Sequence, residues 1–416
     1  MLKRTSLLIL CVVATALLLT DSVLACTSAV VSGKVTPDGR PLLWKNRDTD
    51  FMRNHIDYVK GEKYDFIAVV NSDNAYLKEA WMGTNSAGFA LMNTQSYNLV
   101  DVKDGEERGA ANGRIIYRAL EVCATVEDFC HFLDTISKPS YIEANLGVID
   151  AKGGAVMFEV DYQKYIMYDA NNPKDAPYGY VARTNFSFAG KVNEGAGYVR
   201  YMEADQVLMK ASATGSITPQ FIFNDLSRSF RNRMLDIDLR NGAYNRPQAS
   251  GWFIDQDFIP RSSTSCSAVV QGVKPGEKAE LTTMWTLLGY PPTGIAIPLW
   301  VKGADKLLPE LVRLNKECKA APLSDWSLRL ADRVFSYKQG MGTGRYLNWE
   351  RLYSPEKGDG YMTTLTSVED EVFRTTKPLL EEWRKKGSLD TQAIPKLYEE
   401  LDASIRMIYQ SLLEAE

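Results

Sequence analysis

The residue pattern predicts an α+β protein: two antiparallel sheets stacked face to face, helix layers outside them, and a C-terminal helical extension. Three observations predict it. Short β-rich runs come in groups separated by tight turns, pairs of helix-period segments divide the groups, and residues 366–416 are charged and helical in period. Hairpins followed by helix pairs differ from the strict strand–helix alternation of a parallel sheet and fit layered antiparallel sheets.

Taken in order, residues 26–32, 41–45, 65–71, 80–84 and 89–94 read as strands. Pro37-Asp38-Gly39-Arg40 is a turn that makes a hairpin of the first two. Helices follow over 110–121 and 125–136, the second opened by Thr125 as N-cap. Strands return over 146–150, 155–160, 165–168 and 178–183, with Asp150-Ala151-Lys152-Gly153-Gly154 as another hairpin turn. Helices are expected over 198–213 and 219–230, then strands over 263–271, 279–287 and 295–301. Leu379-Leu380-Glu381-Glu382-Trp383-Arg384-Lys385-Lys386 typifies the tail, where charge runs mark solvated helix faces. No internal repeat or low-complexity segment interrupts the chain, and the loop-like stretch 241–248 is too short to divide it. The expected division is a leader over 1–25, a catalytic domain over 26–301, and a mainly helical extension over 302–416 packed on the same domain.

Composition narrows the function. The chain of 416 residues is 45% hydrophobic and 24% charged, as soluble globular proteins are. Its formal net charge of −4 argues against nucleic acid, which requires a basic face. Lys3 and Arg4, the apolar stretch from Leu7 to Leu19, and the small residues Val23 and Ala25 read as a cleavable secretory leader. That stretch is too short to span a bilayer, and no later run approaches membrane length. The expected location is therefore exported, periplasmic or secreted, after a cut before Cys26.

That cut makes Cys26 the first residue. Its α-amine would titrate near ~7.7–8.0 and a thiol near ~8.5, so one residue supplies a nucleophile and its own base. Only His55 and His131 are present, which disfavours a histidine-rich metal site. Cys123, Cys130, Cys266 and Cys318 complete the cysteines after the leader, and three pairings among them are open. A local Cys123–Cys130 bridge and two buried free thiols are equal readings. No CxxC or Cys/His ligand spacing points to structural zinc.

A cysteine that attacks amides needs a base, a positive setting for its thiolate, and donors for the oxyanion. The first hairpin brings the end of its second strand, Trp44-Lys45-Asn46-Arg47-Asp48, beside Cys26. Lys45 would favour the thiolate, and Asp48 would orient the α-ammonium.

Cys26-Thr27 followed by a β-run and then Lys45-Asn46-Arg47-Asp48 resembles the (Arg/Lys)-Asn-x-Asp element of the choloylglycine-hydrolase-like amidases. These are N-terminal-nucleophile hydrolases that include bile salt hydrolases, penicillin V acylase and the acyltransferase relatives handling penicillin side chains. Gly83-Thr84-Asn85-Ser86-Ala87-Gly88-Phe89 is similar to the family's Asn-x-x-Gly turn, and Asn93 then holds the place of its carbonyl-binding asparagine. Val181-Ala182-Arg183-Thr184-Asn185 is similar to its Thr-Asn strand end, which assigns Asn185 to the oxyanion hole. Tyr198-Val199-Arg200-Tyr201 is similar to the helix start that carries a site arginine, Arg200. Thr264-Ser265-Cys266-Ser267, Met284-Trp285 and Gly289-Tyr290-Pro291 are similar to the closing strands of the acyltransferase-like branch. The likeness spans residues 26–301. It implies a four-layer αββα sandwich and hydrolysis of linear carbon–nitrogen amides through an acyl-enzyme, with transfer to another acceptor as a variant. No metal or organic cofactor is implied. Lys45 stands where the family usually has arginine, which keeps the charge and loses the bidentate fork.

The implied substrate is a small-molecule amide: an N-acyl amino acid, a conjugated bile acid, a penicillin-like amide or a short peptide. Trp44, Phe51, Tyr58, Trp81 and Tyr97 are candidates to line an acyl pocket, with core packing the plainer role for most. The oligomeric state is open, a homo-oligomer included. One rival uses the same residues: Val23-Leu24-Ala25-Cys26 resembles a lipobox, which would make the protein a non-catalytic surface lipoprotein lipidated at Cys26. A β-run directly after Cys26 suits burial in a sheet better than a membrane leash. Another rival is a conventional hydrolase using His55 or His131, though no Gly-x-Ser-x-Gly elbow occurs. No phosphate-binding Gly-rich loop is present either.

Overall fold

The computed structural model describes residues 26–102, 108–241, 252–255, 257–336, 346–354 and 356–415. The expected leader over 1–25 and most of the stretch 241–248 lie outside them.

The chain opens with β1 (Thr27–Val31) and β2 (Leu42–Asp48), an antiparallel hairpin that pairs Thr27 with Asn46 and Ser28 with Lys45. A meander follows: β3 (Asn54–Val59), β4 (Phe66–Asn71), β5 (Met82–Asn85) and β6 (Ala90–Gln95). Helices α1 (Asn112–Val122) and α2 (Val126–Thr135) come next. A reciprocal box starts α2: Thr125 accepts from the Asp128 amide, and the Asp128 carboxylate accepts from the Thr125 amide. Then come β7 (Ala144–Ile149), β8 (Ala155–Val160), β9 (Tyr165–Asp169), β10 (Tyr180–Arg183) and α3 (Tyr198–Thr214).

Two short pairings, β11 (Arg231–Asn232) with β12 (Ile237–Asp238) and β13 (Trp252–Ile254) with a later strand, precede β14 (Thr264–Gln271), β15 (Thr283–Leu288) and β16 (Ile297–Leu299). The remainder holds α4 (Pro322–Val334), β17 (Phe335–Ser336), β18 (Tyr346–Asn348), α5 (Tyr361–Lys386) and α6 (Ile394–Glu414).

Two large sheets result. One has the order β10-β1-β2-β14-β15-β16, the other the order β3-β4-β5-β6-β7-β8-β9, and the pairings within both are antiparallel. Their facing surfaces carry Val30, Leu43, Met92 and Met157. The sheets approach closely at Gly147 of β7. A Cβ there would lie 2.3 Å from Met92 Cε, 2.8 Å from Leu43 Cδ1 and 2.9 Å from Val30 Cγ2, so any larger residue would wedge the layers apart.

On the outer face of the seven-stranded sheet, Phe66, Leu91 and Phe158 pack against Ile116, Leu120 and Phe129 of α1 and α2. The six-stranded sheet is covered on its outer side by α3 and the C-terminal helices. The fold is thus the expected α+β sandwich of stacked antiparallel sheets between helix layers, with helices added at the C-terminus.

Those last helices are fastened to the sheet by buried polar contacts as well as by Leu380, Trp383 and Leu397. The Arg228 guanidinium donates to both Glu369 oxygens of α5 at 2.7 and 2.8 Å, both side chains being only 1% exposed. Glu369 also accepts from the Ala296 amide at 2.7 Å, and the Tyr409 hydroxyl of α6 donates to the Thr293 carbonyl at 2.8 Å.

Five elements depart from expectation. Residues 54–59, assigned to no element from the sequence, form β3, an edge strand whose pairing with β4 offsets its polar composition. The helix expected over 219–230 ends at Ser227 and runs through a π-helical turn over Ile222–Ser227. The strand expected from 279 starts at Thr283, because Ala279–Leu281 is a 3-10 turn. The extension also carries β17 and β18, which complete a three-stranded sheet with β13. The five described cysteines are free thiols, so no bridge joins Cys123 to Cys130.

Candidate active site

One end of the sandwich gathers the start of β1, the end of β2, the start of β14 and the exits of β6 and β10. Cys26 sits there, 6% exposed, its Sγ 3.7 Å from the Asp48 carbonyl oxygen. The hairpin register that pairs Thr27 with Asn46 explains this proximity.

Strand alternation then sorts β2. Lys45 and Arg47 turn toward the other sheet, while Asn46 turns outward to the Ser227 carbonyl at 2.9 Å. Lys45 Nζ donates to Asn93 Oδ1 at 2.8 Å and to the Trp81 carbonyl at 3.2 Å, so Lys45 and Asn93 bridge the two sheets. Burial pushes the Lys45 ammonium down to about 8, against the opposing pull of the nearby Cys26 thiol. Arg47 donates to Asn54 at 2.5 Å and Asn71 at 2.7 Å and lies 4.6 Å over the Trp81 ring. Burial lowers it too, to about 10.

Asp48 is held on both oxygens. Thr264 Oγ1 donates to Oδ1 at 2.6 Å, and the Arg261 Nε and Nη2 donate to Oδ2 at 3.1 and 3.0 Å. A shift of register between Thr264 and Cys266 in the β14–β2 pairing sets Thr264 opposite Asp48.

Arg200 ties three segments together. Its Nη1 donates to the Cys26 carbonyl at 2.7 Å and to Thr27 Oγ1 at 2.8 Å, and its Nη2 donates to Asn185 Oδ1 at 2.9 Å. It enters from the first turn of α3, whose N-cap Gly197 has φ +85°. A Cβ at that position would lie 2.3 Å from Arg200 Nη2, so both the backbone angle and the space require glycine. Burial, then repulsion from Arg261, pushes Arg200 down to about 10. Asn185 Nδ2 donates to the Gln95 carbonyl at 2.8 Å.

All six sequence-derived candidates, Cys26, Lys45, Asp48, Asn93, Asn185 and Arg200, therefore stand at this one end. Sequence reading missed Arg47, Arg261, Thr264 and Cys266. Period-2 alternation from Lys45 would have found Arg47. Arg261 is 213 residues from Asp48 and carries no local signal. Cys266 lies opposite Arg47 in the ladder, and burial pushes its thiol up to about 11.

Of the aromatic candidates, Trp81 belongs to the site. Trp44 faces outward to Ser267, Tyr58 donates to Asp65, and Phe51 is 43% exposed. Tyr97 follows the β6 exit, and burial raises its pKa. His55 bonds Ser72 and is pushed down to about 4 by burial; His131 lies on α2, remote from these contacts. Among the described residues no group of three His, Cys, Asp or Glu is placed to hold a metal ion, and no helix is long and apolar enough to cross a membrane.

Chemically, the site offers a thiol beside fixed cations, a clamped carboxylate, and carboxamides from both sheets. Residues 35–209 match the model of the acyl-coenzyme A:6-aminopenicillanic acid acyl-transferase family. Among curated proteins none matches. Similar solved structures include an N-acylethanolamine-hydrolyzing acid amidase ortholog from Caenorhabditis elegans, at 16% identity over 48% of this chain and 89% of that one, TM-score 0.36. Penicillin V acylase from Agrobacterium tumefaciens is similar at 14% identity over 67% and 86%, TM-score 0.38. A mutant of the conjugated bile acid hydrolase from Clostridium perfringens is similar at 15% identity over 67% and 92%, TM-score 0.36. The family match runs from the turn before β2 into α3, the stretch that carries Lys45, Asp48, Asn93, Asn185 and Arg200, within an α+β sandwich of stacked antiparallel sheets.

Proposed function

We propose that the protein is an exported amidase in which Cys26, freed by removal of the leader, is the nucleophile toward a linear small-molecule amide. The observation that carries this reading is the setting of Cys26. Its carbonyl is held by Arg200, its thiol lies against the Asp48 carbonyl, and Lys45 completes the surroundings.

In the reaction, the Cys26 thiolate forms a C–S bond to the amide carbonyl, and the carbonyl π pair moves to oxygen. Asn93 and Asn185, with backbone amides, receive that oxyanion. Asn93 accepts from Lys45 through Oδ1, so Nδ2 is its donor. Collapse breaks the C–N bond, and the departing amine takes a proton from the α-ammonium of Cys26. The α-amine then takes a proton from water as the water oxygen attacks the thioester carbonyl; the C–S bond breaks, the acid leaves, and the thiolate and α-ammonium of Cys26 are restored. Asp48, clamped by Thr264 and Arg261, anchors the α-ammonium in place.

N-acyl amino acids, conjugated bile acids, penicillin-like amides and short peptides are the substrate classes to try. The burial of Cys26 at the head of a six-stranded sheet favours this reading over a lipid anchor, which would need the same sulfur and nitrogen exposed.

The test is N-terminal sequencing and intact mass of the exported protein, together with hydrolysis of that panel by wild type and Cys26→Ala. A terminus at position 26, unmodified, with activity abolished by Cys26→Ala, is the expected result. A diacylglyceryl adduct on Cys26, or full activity in Cys26→Ala, would overturn it.

A further inference from the structure

The polar groups between the sheets do not stop at the candidate residues. Asn145 of β7, fully buried, donates from Nδ2 to the carbonyls of Thr184 at 3.0 Å and Phe186 at 3.2 Å, the two residues flanking Asn185. Its Oδ1 accepts from Ser187 Oγ at 2.7 Å. Asn98, 3% exposed and just past the β6 exit, donates from Nδ2 to the carbonyls of Ser187 and Lys191, both at 3.0 Å. Its Oδ1 accepts from the Ser187 amide at 2.8 Å and from Ser96 Oγ at 2.9 Å. Every donor and acceptor of the Asn98 carboxamide is thereby used.

These two carboxamides belong to the seven-stranded sheet and its β6 exit, whereas the segment they grip continues from β10 of the six-stranded sheet. We propose that Asn145 and Asn98 are positioning residues for the reaction, holding the Asn185 segment of one sheet at a set distance from the Asn93 strand of the other. The proposal rests on the reading of Cys26 as nucleophile.

The physical argument is one of direction. Apolar packing between sheets is non-directional and sets their separation without fixing small slides. The oxyanion donors come from both sheets, and a 1 Å misplacement of such a group can cost about 100-fold in rate. Buried carboxamides are tolerated only when fully bonded, and a fully bonded network permits a single arrangement. Asn145 fixes the carbonyls on both sides of Asn185, leaving that residue only its own side chain to settle, between Arg200 and Gln95.

The test compares two reactions of the same thiol in the mature protein. Acylation by p-nitrophenyl acetate passes through an oxyanion: the C–S bond forms, the C–O bond breaks, and p-nitrophenolate leaves. Alkylation by iodoacetamide displaces iodide and has no oxyanion. Asn145→Ala is expected to slow the p-nitrophenolate burst about 10- to 100-fold while changing the alkylation rate less than about twofold. Ser187→Ala, which removes a single hydroxyl and serves if Asn145→Ala fails to fold, should slow the burst about 3- to 10-fold with the same split. A burst within twofold of wild type in folded protein, or acylation and alkylation slowed in parallel, would overturn the proposal. Cys26→Ala separates the two claims: a burst that persists in it removes the nucleophile reading itself, whatever Asn145→Ala shows.

Discussion

The guanidinium of Arg200 donates to the carbonyl oxygen of Cys26 at 2.7 Å, across 174 residues of sequence. A planar fork reaches Cys26, Thr27 and Asn185 at once, which an ammonium on a flexible stem does not reproduce. Arg200→Lys is expected to lower kcat/KM at least about tenfold while the protein stays folded. Kinetics beside a circular-dichroism melt check this, and an active, merely destabilised Arg200→Lys would refute it.

Lys45 sets a pH limit. Protonated, it would stabilise the proposed Cys26 thiolate; burial pushes it down to about 8, so it loses that charge as pH rises through about 8. A descending limb of kcat/KM is expected there, and Lys45→Arg should move it up by at least about one pH unit, because an arginine lowered by burial as far as its neighbour Arg47, to about 10, still keeps its proton through about pH 8. The same depression has a stability sign. Between about 8 and ~10.4 the unfolded chain binds the extra proton, so wild type gains stability relative to Lys45→Met as pH rises through that window. Urea midpoints at the two ends of that window measure it.

The Asp48–Arg261 pair should show strong coupling. Asp48 is 1% exposed and Arg261 20%, so removing the arginine strands a buried carboxylate. Arg261→Gln is expected to cost about 2–4 kcal/mol, less than a fully enclosed pair because water reaches the guanidinium. In a double-mutant cycle with Asp48→Asn, a coupling below about 0.5 kcal/mol would show that the clamp contributes nothing.

Glu369 gives a test far from the chemistry. It receives both Arg228 nitrogens and the Ala296 amide with neither ion exposed, so Glu369→Ala should cost about 3–5 kcal/mol. Loss of the whole cooperative transition, measured by calorimetry, would indicate that the C-terminal helices and the sheets unfold as one unit.

The histidines are expected to be dispensable. A His55→Gln, His131→Gln double variant should keep activity within about threefold, since neither ring enters the site's hydrogen bonds. Because His55 is pushed down to about 4, the unfolded chain binds its proton first, and wild type loses stability relative to His55→Gln as pH falls from ~6.5 toward 4.

Local signals were legible wherever chemistry and neighbours lay close in the chain. Thr125 as N-cap announces α2, Pro37-Asp38-Gly39-Arg40 announces the first hairpin, and that hairpin carries Lys45 and Asp48 to Cys26. The edge strand β3 was not legible, since the polar residues Asn54, His55 and Asp57 carry no strand signal until β4 supplies partners for their backbone. Neither Arg261 nor Asn145 announced itself, because an arginine in a loop and an asparagine in a strand have no local mark of purpose.

The amino-acid order alone determined which reactive groups the chain possesses and the alternation that turns each one toward or away from the facing sheet. Tertiary structure decided which of them meet. Arg261 reaches Asp48 because β14 pairs with β2 inside one sheet, and Asn145 grips the backbone around Asn185 because the two sheets close over one another; contacts between residues so far apart in sequence follow from that assembly and from no local propensity.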